Sequence, residues 1–100
     1  MALYRHGDLL VESTDKIPQD ARLLHHLVLA EGELTGHSHR VAQKDAAELY
    51  ETRAGLFLRV VATRATLVHQ EHGPIELSTG NYRVWRQREY SPKEIRVVRD

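Results

Sequence analysis

Short apolar runs rich in Val, Leu, Thr and Tyr recur along this chain between turn-forming residues, and that spacing favours strands over helices across most of its length. The runs are Asp8 to Ser13, Leu23 to Ala30, His37 to Ala42, Leu56 to Thr63, Thr66 to Gln70 and Asn81 to Tyr90. Ile17-Pro18-Gln19-Asp20 and Glu31 to Gly36 read as turns, the second as a glycine-bearing hairpin connection. One segment, Gln43 to Tyr50, contains good helix formers and could make a two-turn helix. The same letters from Ala47 to Glu51 also suit the first arm of a hairpin with its tip at Arg53-Ala54-Gly55 and its second arm at Leu56 to Val61. The glycine at the tip favours the hairpin. The expectation is an all-β fold, a single domain over residues 1–100, built as a small sandwich or barrel with at most one short helix. Leu27, Leu29, Val41, Leu58, Val60, Leu67 and Val84 should contribute to its interior.

Charge and composition narrow the partners. Lysine plus arginine and aspartate plus glutamate number 14 each, so no global field draws the protein to nucleic acid or to an anionic membrane. The absence of cysteine removes both a disulfide framework and a thiolate metal site. No stretch approaches transmembrane length, and Met1 to Asp8 lacks the basic and apolar regions of a signal peptide, so no membrane association and a cytoplasmic location are expected. A terminal run, Glu94 to Val98, follows Pro92 and could complete a sheet edge in a second copy, which points to a homodimer.

Chemistry concentrates in two histidine pairs, Gly36-His37-Ser38-His39-Arg40 and His69-Gln70-Glu71-His72-Gly73. Neutral imidazole is the commonest protein metal ligand, and a strand places residues i and i+2 on one face, so His37 and His39 can grip one ion together. His69 and His72, at a turn or strand end, could close over the same point. A divalent zinc, iron or manganese ion is the expected cofactor, with Glu71 as an adjacent carboxylate. His25 and His26 are weaker candidates because neighbours on a strand face opposite ways, and His6 reads as a solvated side chain near the start.

The layout resembles that of the cupins, small β-barrel proteins whose first motif carries a His-x-His on one strand and whose second carries a further histidine. His37 and His39 match the paired histidines, and His69 or His72 stands for the later one. Gln43 and Lys44 occupy the positions where the first motif's glutamate would fall. The resemblance implies a cupin-like barrel with a histidine metal site, in a family whose members range from dioxygenases and isomerases to plain binding proteins.

Three functions compete on these residues. The first is a metal-binding β domain, an oxygenase, isomerase or hydrolase acting on a small-molecule substrate, with Glu71 or an unused histidine as general base. The second is metal-free acid and base chemistry on a phosphodiester, with histidine and Glu71 moving protons while Arg40 or Arg86 stabilises negative charge. The third is a nucleic-acid-binding module in which Arg83, Arg86, Arg88, Arg96 and Arg99 interleave with Tyr82, Trp85 and Tyr90.

Overall fold

A computed structural model describes residues 2–32 and 36–87. Among them there is no helix, and the all-β expectation stands. Eight strands follow in chain order: β1 (Leu3–His6), β2 (Leu9–Thr14), β3 (Arg22–Leu23), β4 (Val28–Glu31), β5 (Ser38–Val41), β6 (Ala47–Thr52), β7 (Gly55–Val68) and β8 (Ile75–Arg86). All pairings are antiparallel, in the order β1-β2-β8-β7-β5-β4. β6 shares the β5 side of β7 and carries β3 on its far edge. Gln43 to Tyr50 is not helical: β6 and β7 form the expected hairpin, closing at Thr52 opposite Gly55, whose φ of 139° is open to glycine and rarely to other residues. The helix formers lose here because Ala46, Ala47 and Leu49 bury more apolar surface facing β7.

Strand β7 explains why one element looked like two. Its inward residues are even-numbered at first, Leu58 and Val60, and odd-numbered later, Ala65 and Leu67. A register shift between Val60 and Arg64 separates the two phases. On β8 the buried set changes phase in the same way, from Leu77 to Tyr82 and Val84, across Gly80. An irregularity of this kind bends both strands and strengthens their twist. The first half of β7 pairs with β6 and the second half with β5.

That bend rolls the sheet. In a flat sheet β1 and β5, four spacings apart in the order, would stand about 19 Å from each other. Instead, the ring of His6 on β1 lies 2.9 Å from that of His39 on β5, nitrogen to nitrogen. The sheet therefore curls until side chains of β1 and β5 touch, yet no backbone ladder joins β1 to β4 or β5 among the described residues, so the barrel-like roll is not closed. Its interior holds Leu9, Val11, Leu29, Val41, Leu49, Leu58, Val60, Ala65, Leu67, Leu77, Tyr82 and Val84. Six of the seven residues expected inside are buried, and Leu27 packs against them half-exposed.

Two sequence expectations change here. The run Leu23 to Ala30 is broken at His25 and His26, where the chain bends between β3 and β4 and the His26 Nδ1 accepts the Val28 amide at 3.1 Å. β1 was not anticipated, because its apolar Leu3 points to solvent while Tyr4 and His6 turn inward. Pro92, the run Glu94 to Val98, and the side chains of Arg88, Tyr90, Arg96 and Arg99 lie outside the described residues. No described helix is long and apolar enough to cross a membrane.

Candidate metal centre

Three separate pieces of chain deliver imidazoles to the seam where β1 comes to face β5. The β1–β2 turn brings His6, β5 brings His39 with His37 just before it, and the β7–β8 connection brings His69 and His72. Ring centroids lie 4.9 Å apart for His6 and His39, 4.3 Å for His39 and His69, 4.5 Å for His69 and His72, and 5.5 Å for His37 and His69. Imidazoles sharing one tetrahedral ion have centroids roughly 5 Å apart, given metal–nitrogen bonds of about 2.0–2.1 Å. His6 and His39 have that spacing, while His72 stands wider, 5.9 Å from His6 and 6.0 Å from His39. The nitrogens do not yet share a focus: among the described residues no three His, Asp or Glu side chains already surround one point.

All four histidines expected as ligands, His37, His39, His69 and His72, are brought together. His6 corrects the sequence reading. It is 2% exposed rather than solvated, because β1 runs along the seam and turns His6 inward. Nothing local in Tyr4-Arg5-His6-Gly7 announces this; only the topology does. Arg40 is corrected in the opposite sense, since it follows His39 on β5, points to the outer face and is exposed. Arg86 stands near the histidines instead, donating from Nε to Asp8 Oδ2 at 3.0 Å and from a terminal nitrogen to the Glu31 carbonyl at 3.2 Å. Glu71 is at the cluster's outer edge, its carboxylate 3.4 Å from His37 Nδ1. His25 and His26 lie apart on the β3–β4 bend.

The hydrogen bonds of His6 and His39 constrain their tautomers. His6 Nε2 lies 3.0 Å from the Gly73 carbonyl and His39 Nε2 lies 3.5 Å from Asp8 Oδ1, so both outer nitrogens face acceptors. Their Nδ1 atoms face each other at 2.9 Å. The two hydrogen bonds take two protons, which two neutral imidazoles supply, and a third would be needed only to bond Asp8, which stands at ion-pair distance. A third proton is disfavoured: burial first, then the neighbouring His69 and His6, depress the His39 pKa to about 4. Burial also lowers His6 and His69, against a raising contribution to His6 from its bond to Gly73. His69 differs in its bonding, for its Nδ1 accepts the Glu71 amide at 2.9 Å and its proton therefore sits on Nε2.

Gly7 allows this crowding. Its φ of 68° makes the left-handed turn from β1 to β2, and a Cβ there would fall 2.6 Å from His72 Nε2 and 3.1 Å from His39 Cε1. Gly7→Ala should therefore cost roughly 1–3 kcal/mol in chemical denaturation, the usual range for a non-glycine residue held left-handed. An unchanged denaturation midpoint would show that the turn relaxes away from the histidines.

Three of the residues proposed for nucleic-acid binding have partners within the fold. Tyr82 is buried and donates to the Ser78 carbonyl at 2.7 Å, while Arg83 covers the Trp85 ring at 4.4 Å and faces Glu12.

Fold and site together define an all-β domain whose curled sheet brings a cluster of histidines together between β1 and β5. The chain belongs to the family described as Domain of unknown function (DUF8820), whose model matches residues 5–87 and so takes in all five clustered histidines. No curated protein and no solved structure matches it.

Proposed function

We propose that this protein binds one divalent transition-metal ion at the histidine seam. The observation that carries the reading is the His6–His39 pair. Its outer nitrogens face Gly73 O and Asp8 Oδ1, while its Nδ1 atoms converge to 2.9 Å. Outer-nitrogen acceptors are what metal-bound histidines have, since they fix the tautomer and leave the inner lone pair for the ion. Two imidazole nitrogens on one zinc stand roughly 3–3.4 Å apart, so a small opening of the pair suffices. His72 and His37 supply further nitrogens, whereas His69 must first release the Glu71 amide.

An imidazole donor set suits zinc or iron better than manganese, which prefers oxygen. With a coordination position left open, such an ion supplies Lewis acidity or an activated water, and the exposed carboxylate of Glu71 is placed to move a proton at the cluster's edge. The reaction classes this admits are oxygenase, isomerase and hydrolase, on a small-molecule substrate in the cytoplasm. The cupin likeness supports the same layout, a strand-borne histidine pair completed by a later one.

The test is elemental analysis and zinc titration of untagged protein. One equivalent per chain is expected in the wild type and in a His25→Ala/His26→Ala variant, and less than a tenth of an equivalent in His6→Ala/His39→Ala. A double variant of His6 and His39 that keeps a full equivalent refutes the assignment.

A further inference from the structure

A second feature stands apart from the histidine seam. β6 and β5 both pair with β7 but on different halves of it, so they part at the bend and leave a cleft between them. The β3–β4 bend walls this cleft and is tied to both strands, Leu24 N–H donating to Leu49 O at 2.8 Å and Val41 N–H to Leu27 O at 3.1 Å. The cleft has a volume of about 520 Å³, within the ordinary range for small-ligand sites. Leu24, Leu27, Val41 and Leu49 give it an apolar floor.

Its rim carries charge of an uneven kind. Arg40 and Lys44 are exposed, and neither makes an ion pair with a carboxylate among the described residues. Of the rim carboxylates, Glu48 is engaged by the Tyr50 hydroxyl at 2.8 Å and faces Arg59 at 3.7 Å. That leaves two cations against Asp45 alone.

We propose that this cleft binds a medium-chain carboxylate, its hydrocarbon lying on the leucine floor and its headgroup held by Arg40 and Lys44. Guanidinium matches a carboxylate with two parallel bonds, while ammonium adds a point charge beside it. Arg40 thus serves a ligand on the outer face of β5, while His39, one residue earlier, faces the seam.

The experiment titrates decanoate, below its micelle concentration, into ¹⁵N-labelled protein and follows amide shifts. Saturable changes are expected at residues 24–28 and 40–49. Arg40→Gln/Lys44→Gln, two exposed replacements that leave the core intact, should weaken decanoate at least tenfold and leave decanol binding unchanged. Three results overturn the proposal: no saturable shift, shifts that map elsewhere, or equal loss of decanol and decanoate. Association with anionic vesicles but not with free decanoate also overturns it. His6→Ala/His39→Ala should retain decanoate binding, which separates failure here from failure of the metal assignment.

Discussion

Zinc added to metal-free protein at about a hundredfold over its dissociation constant is expected to raise the melting temperature by roughly 10–20 °C. Binding to the folded state alone at that excess contributes about 2.7 kcal/mol, and each kcal/mol moves the midpoint of a domain this size by about 4–8 °C. The origin is topological. β1 and β5, which face each other across the seam, share no backbone ladder among the described residues, and an ion held by His6, His39 and His72 would tie β1 to β5 and to the β7–β8 connection. Differential scanning calorimetry with zinc and with magnesium checks it. The shift should appear with zinc only, persist in His25→Ala/His26→Ala and vanish in His39→Ala.

Acid should destabilise the metal-free protein in a window set by His39. Its folded pKa is about 4 against an ordinary 6.5, so between those values the unfolded chain holds the proton and the folded protein does not. Stability from keeping this ring neutral is complete above about pH 6.5, falls as pH drops toward 4 and is fully lost below it. A shift of that size corresponds to at most about 3–4 kcal/mol, a large part of the 5–15 kcal/mol typical of a small domain. The depressed His6 and His69 act in the same direction. Urea denaturation of wild type and His39→Gln at pH 7.5, 5.5 and 4.5 isolates the contribution, because the variant should lose less stability over that range. Parallel curves for the two proteins would contradict it.

Much of the fold was legible because burial imposes a period of two on strands, which the runs from His37 and Leu56 carry, whereas the run from Asp8 buries Leu9, Leu10 and Val11 in succession and reads as a strand by its apolar content alone. The runs Leu56 to Thr63 and Thr66 to Gln70 are one strand, β7, whose inward phase shifts between Val60 and Arg64, and a phase shift looks the same as a strand end when only one strand is read. The site was half legible. His-x-His at 37 and 39 is a local signal, and His39 does face the cluster. Asp8, Arg86 and His6 carried no such signal, since Asp8 and Arg86 lie 78 residues apart and His6 and His39 lie 33 apart. Only the roll of the sheet puts them together. Arg40 looked like a site residue by its position beside His39, and the alternation of side chains along β5 sends it to the other face.

The most direct test of the shared-ion account reads the imidazole nitrogens themselves. Long-range ¹H–¹⁵N spectra of the seven histidines, recorded as zinc is added, should show His6 and His39 becoming Nε2–H tautomers with Nδ1 bound to the metal. The change should be complete at one equivalent, with His72 moving alongside them. His25 and His26 should not respond. Zinc-dependent shifts confined to His25 and His26, or no tautomer change at His6 and His39 after a full equivalent, would contradict the account.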